Sequence, residues 1–346
     1  MSWSESRLTE LLGIRYPIVQ APMAGGPSTV ELAVAVSEAG GLGSIAAAIM
    51  SPEDLRGAIR AVRQQTSQPF AVNVFASLPS VDADPDALRA VQNTLARHRE
   101  RLGLAQQEVT PPKAPAWTVE DQLAVVARER VQVLSFTFGI PPLDGLEDVV
   151  LMGTATTPDE AVELERAGVA VIVAQGAEAG GHRGTFIGSF DDGLVGLVSL
   201  VPQIVDAVSV PVVASGGIVD GRGIAAALAL GAEGAQLGTA FLFCFESGAT
   251  QAWRRALWEL PTIVTDAYTG RPARGARTPF IAELAAGPPP APYAIQRTLT
   301  GDFRDIDGYG WYLGGQAARL ARELPAADLV TTLVEETDAA LRATGA

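Results

Sequence analysis

The sequence predicts an α/β fold, a (β/α)8 TIM barrel, on three observations. Eight short runs between Tyr16 and Thr239 are apolar along their length rather than alternating, the mark of parallel strands covered on both faces. Amphipathic, Ala-rich segments alternate with these runs, and eight strand–helix units in about 250 residues match the length of such a barrel. Small-residue loops follow the first, sixth, seventh and eighth runs, on the side where barrels carry their chemistry. A doubly wound parallel sheet is the alternative that the same alternation leaves open.

The strands are expected at 16–20, 41–47, 70–75, 131–136, 149–154, 169–175, 210–215 and 234–239, and helices at 28–40, 51–65, 157–168 and 221–231. Ser51 and Thr157 each precede a proline, an N-cap followed by Pro in the first turn. Gly40, Gly168 and Gly231 close their helical patterns. Two connections are irregular. Residues 78–117, between strands 3 and 4, are polar and Pro-rich with one helical piece at 84–103; His98, flanked by arginines, reads there as a surface residue. Between strands 4 and 5 only PPLDGLED (141–148) is available. Eight residues rise only about 12 Å as a helix and two prolines begin the segment, so no full-length helix is expected. Residues 1–260 thus read as the barrel with its insertion. Residues 261–346 read as a C-terminal extension that packs near the barrel mouth and ends in a closing helix.

Composition narrows the chemistry. A formal charge of −14 opposes nucleic acid and anionic membranes. No apolar run approaches the roughly 20 residues that span a bilayer, and the opening MSWSESRLTELLG has no apolar signal core. One cysteine excludes an internal disulfide, so a cytoplasmic protein is expected, with a homodimer left open. The single lysine, Lys113, lies in TPPKAPAW, a poor setting for a buried Schiff base. Two histidines and one cysteine cannot make a usual zinc site, so no metal is expected, and no G-x-S-x-G elbow occurs. Hard chemistry would fall to a bound organic cofactor.

Three strand ends stand out. QAPMAGG (20–26) offers small residues over which a flat ligand can lie. ASGGIVDGRG (214–223) and QLGTAF (236–241) follow strands 7 and 8, where barrels commonly hold a phosphate on backbone amides. AQGAEAGGHRG (174–184) places His182 among glycines at the end of strand 6, accessible as a base near neutral pH.

These stretches, with SFTFGIP after strand 4 and the late GGQ, resemble the nitronate monooxygenases, once called 2-nitropropane dioxygenases, from about residue 8 to 320. The resemblance implies non-covalent FMN at the C-terminal face of the barrel. Ala21, Pro22 and Met23 would flank its ring system, and Asn73 and Gln175 would hydrogen-bond it. Gly180 and Gly181, with Ser215, Gly216, Gly217, Gly238 and Thr239, would hold its phosphate. His182 matches the catalytic histidine. The implied reaction oxidises alkyl nitronates, or nitroalkanes, with dioxygen to a carbonyl compound and nitrite. Phe136, Phe138, Tyr309 and Tyr312 are the expected substrate walls. An NAD(P)H-dependent flavin reductase, acting on enoyl-acyl-carrier protein or on quinones, is the rival on the same fold. A dehydrogenase with a cysteine nucleophile near strand 6 is excluded, because the only cysteine, Cys244, follows strand 8.

Overall fold

Each apolar run becomes a strand: β1 (Ile18–Gln20), β2 (Gly43–Ala46), β3 (Phe70–Phe75), β4 (Val133–Thr137), β5 (Val150–Ala155), β6 (Val171–Gln175), β7 (Val212–Ser215) and β8 (Gly234–Leu237). The computed structural model describes residues 3–76, 84–107 and 116–344. Neighbouring strands pair in parallel from β2 through β8, and β8 pairs with β1. The bonds Leu42 N to Ile18 O and Gln20 N to Leu42 O, both 2.9 Å, close β1 onto β2. The sheet is a cylinder, not an open doubly wound sheet.

Local signals set the covering helices. Ser51 Oγ accepts from Asp54 N at the start of Pro52–Gln65, and Thr157 Oγ1 accepts from Glu160 N at the start of Pro158–Arg166. Between β4 and β5 the chain makes turns without a helix, and Leu146 tucks into the barrel core in its place. Val119–Arg128 covers β3, its buried Gln122 donating to the carbonyls of Ala47 and Met50. The last helix, Ala326–Thr344, packs on Val30–Glu38 and Gly221–Ala229 and sends Ala326, Leu329, Val330 and Leu333 into the core. It crosses so closely that a Cβ on Gly221 would lie 2.3 Å from Thr337 N. It holds the place of the eighth barrel helix, so the stretch 261–346 divides between a cap and the barrel wall.

The cap lies over the barrel mouth. Its sheet joins Thr262–Thr265 to Ala273–Ala276, and the third strand is Gly181–His182 from the barrel loop after β6. Its core sets Val91 and Leu95 of the insertion helix Pro85–Leu102 against Phe280, Ile281, Ile295, Leu299 and Phe303. Buried Arg99 ties the two parts, its Nε 2.8 Å from Asp302 Oδ2. His98 corrects the expectation of a surface residue: it is 2% exposed, among Phe280, Phe303 and Tyr309. Leu88, Val91, Leu95, His98 and Leu102 recur at helical spacing, so the stripe that faces the cap carries His98 inward despite its arginine neighbours. Of the expected insertion, residues 78–83 and 108–115, with Lys113, lie outside the described residues. Among the described residues no helix is long and apolar enough to cross a membrane.

Candidate active site

The loops after β1, β3, β4, β6, β7 and β8 converge with the cap on one cavity. At the end of β1, buried Gln20 organises the small-residue turn. Its Nε2 donates to Ala21 O at 2.6 Å and to Ser28 Oγ at 2.9 Å, and its Oε1 accepts from Ser44 N at 2.7 Å. Ser28 Oγ in turn accepts from Met23 N, which holds Ala21, Pro22 and Met23 against the cavity. On β3, Asn73 faces the same space and donates to Ser135 Oγ of β4 at 2.9 Å.

The opposite wall is backbone. Gly216 and Gly217 leave β7 at φ +126° and +69°, conformations that glycine tolerates and other residues resist. Gly238 leads into the short turn Thr239–Leu242 without a side-chain cap. The amides of Gly216, Gly217 and Gly238 have no hydrogen bond to other described residues. Thr239 Oγ1 accepts from Gly315 N at 2.9 Å, which brings the late Gly314–Gly315 step against Gly180. A Cβ on Gly180 would lie 2.5 Å from the Gly314 carbonyl carbon, so this glycine permits the close approach of two loops. The result is a concave row of free N–H donors, suited to an anion of compact charge.

His182 stands where the barrel meets the cap. Gln175, the last residue of β6, holds its loop: Nε2 donates to His182 O at 3.1 Å and Oε1 accepts from Gly184 N at 2.8 Å. Arg183 runs the other way, fully buried, and caps the carbonyls of Gln175, Gly176 and Gly193. The imidazole lies edge-on to Phe138 and Tyr293, with Nε2 2.7 Å from Thr269 Oγ1 of the cap. It retains surface on the cavity but is enclosed by protein, so its pKa is pushed down to about 3. Burial is the main cause, and the charges of Arg271 and Arg297 add to it. The imidazole is therefore neutral across the physiological range. Arg271 is itself fixed, with its guanidinium 3.8 Å over the Phe138 ring and hydrogen-bonded to Arg183 O and Thr185 O.

Comparisons with known proteins identify the family. The family model for nitronate monooxygenase matches residues 5–336. The chain belongs to the nitronate monooxygenase family. A probable nitronate monooxygenase of Staphylococcus haemolyticus is 41% identical, covering 96% of this chain and 97% of its own. The solved nitroalkane oxidase of Streptomyces ansochromogenes is 41% identical with a TM-score of 0.89, over 98% of this chain and all of its own. FabK of Thermotoga maritima follows at 30% identity and a TM-score of 0.76, over 99% and 98%. The protein is thus an oxidoreductase of nitronates, built on the barrel.

Every expected cofactor position of this nitronate monooxygenase family member, together with His182 and Phe138, lines the cavity. The other three expected substrate walls do not. In β4 the alternation turns Ser135 and Thr137 to the cavity and Phe136 to the helix layer. Phe138 breaks that alternation with φ +77° and swings its ring inward. Tyr312 is buried with Leu257 and Trp253 while Trp311 and Leu313 line the cavity, the alternation of an extended segment. Tyr309 packs in the cap core against Phe280 and Phe303. Sequence reasoning missed Gln236 and the cap residues Thr269, Tyr293 and Arg297. Cys244 is buried, its thiol pushed up to about 12 chiefly by burial, and it does not line the cavity. Among the described residues no cluster of His, Cys, Asp or Glu could hold a metal ion.

Proposed function

We propose that the protein binds FMN across this mouth and oxidises alkyl nitronates, and nitroalkanes after deprotonation, with dioxygen to a carbonyl compound and nitrite. The observation that carries the reading is the continuity of one cavity from the free amides of Gly216, Gly217 and Gly238 to the neutral imidazole of His182. The residues present fit the group. A phosphate would lie on those amides, and the isoalloxazine would lie over Ala21–Met23 within reach of Asn73 and Gln175. Bound there, the flavin would supply the two-electron acceptor.

The chain's own residues do the rest. Gln20 and Ser28 keep the β1 turn in shape for the ring system. Gln175 and Arg183 fix the loop that carries His182. With a nitroalkane, His182 takes the α-proton; with a nitronate that step is already done. Phe138, Tyr293, Trp311 and Leu313 enclose the substrate side and limit water. Anaerobic reduction of the flavin, tried separately with propyl nitronate, NADH and NADPH, tests the reading. Reduction by the nitronate is expected. Reduction by a pyridine nucleotide alone would transfer the assignment to the reductases.

A further inference from the structure

We propose that Thr269 is a positioning residue that fixes His182 as its Nε2–H tautomer, making Nδ1 the atom that takes the α-proton. The proposal rests on the reading of His182 as the base. Thr269 is 1% exposed, in the turn between the two cap strands, with Oγ1 2.7 Å from His182 Nε2. The same hydroxyl lies 3.5 Å from Arg271 O, an acceptor for its proton, which leaves a lone pair to receive Nε2–H. Nδ1 has no hydrogen bond among the described residues and is not sealed from the cavity.

The turn cannot swing away from this contact. Ala273 and Arg274 pair with His182 and Gly181 in the cap sheet, and Arg271 grips the carbonyls of Arg183 and Thr185. The ionisable groups facing the ring are Arg271 from the turn, and Arg297 and Tyr293 from the cap helix Tyr293–Leu299. The ring's partner is therefore a neutral hydroxyl and its charged neighbours are cations. A hydroxyl selects a tautomer without stabilising imidazolium as a carboxylate would. In the proton step the α C–H bond breaks and its electron pair stays with the substrate, giving the nitronate anion. The proton bonds to Nδ1, and Nε2–H remains on Thr269. The adjacent nitronate charge balances the imidazolium.

The test uses the holoenzyme with Thr269→Val and Thr269→Ser. Long-range ¹H–¹⁵N spectra report the tautomers directly, and because the chain has two histidines a His98→Leu background assigns them. The wild type and Thr269→Ser are expected to show Nε2–H at His182, and Thr269→Val a mixture. Anaerobic flavin reduction by a nitroalkane should slow about 10–100-fold in Thr269→Val, less than the roughly 10⁴ known for a fully wrong tautomer. Reduction by the nitronate should hold, and Thr269→Ser should recover the nitroalkane rate. A wild-type Nδ1–H signal, or equal losses with both substrates, overturns the proposal. If the wild type reduces with neither substrate, the proposed function fails, while the spectra still decide the tautomer.

Discussion

The two histidines of this chain occupy similar surroundings in different regions. His98 in the cap and His182 at the barrel mouth both lie edge-on to aromatic rings, and burial lowers the pKa of both. His98 has no hydrogen bond to either nitrogen; Nε2 comes within 3.3 Å of Glu283 Oε1 without hydrogen-bond geometry. His182 has a hydroxyl on one nitrogen and a cavity beside the other. A buried neutral imidazole is common to both, so that feature alone does not make a base. The oriented partner and the open side set His182 apart, and its proposed role as the base rests on them.

The largest effect comes from removing what the mouth holds. Gly217→Val places a Cβ 3.2 Å from Glu178 Cβ at φ +69°, a conformation costing about 1–2 kcal/mol for a non-glycine residue. The purified variant should be colourless, with no flavin absorbance, yet folded by circular dichroism. A yellow variant with wild-type flavin affinity would remove the amides from the cofactor site.

Next is the contrast itself. His182→Asn should slow nitroalkane oxidation by about 10²–10⁴, the usual worth of a general base. The loss with a nitronate should be that of one charged hydrogen bond, about 1.5–3 kcal/mol. His98→Leu should change neither rate. Stopped-flow reduction of each variant by each substrate checks this, and equal losses in His182→Asn would make the residue an orienter only.

Acidity supplies a third comparison. Both histidines stay neutral in the folded protein below the unfolded value near 6.5, so the unfolded chain binds the extra protons. Stability should therefore be unaffected by them above about pH 6.5 and fall as pH drops below it. His182 alone contributes up to about 1.4 kcal/mol per pH unit, continuing toward its folded value of about 3. Urea unfolding at pH 6.5 and about 5 should show a shallower loss in either histidine variant. A slope unchanged in His182→Asn would contradict the depressed pKa.

The smallest effect is expected at pH 7 for His98→Leu. It replaces two unpartnered buried nitrogens by a methyl-bearing chain on an apolar stripe, so stability should stay within about 1 kcal/mol or rise. A loss of several kcal/mol would show that Glu283 holds the ring after all.

What the sequence revealed was local. Strand runs, N-caps before proline and the missing helix between β4 and β5 depend on neighbours a few residues apart, and they stand where expected. His98 was legible too, in the Leu88–Leu102 spacing, but the flanking arginines masked it. Tyr309, Tyr312 and Phe136 are aromatic residues in suggestive places whose facing depends on strand phase and on the positive φ of Phe138. Thr269, Tyr293 and Arg297 carry no local signal, because long-range contacts such as the pairing of Ala273 with His182 bring the cap over the mouth.

The place of Ala326–Thr344 has a consequence for how the molecule is made. The cylinder's outer wall is finished by a helix far along the chain from the one it covers, and Trp3 Nε1 donates to Asp338 Oδ1 at 2.7 Å, tying that helix to residues ahead of the first strand. The first barrel helix must therefore wait, with an apolar flank exposed, until more than 280 residues later its neighbour emerges. Synthesis of this protein passes through a long interval in which the mouth and cap exist but the barrel is unsealed, the period when nascent chains aggregate or recruit chaperones.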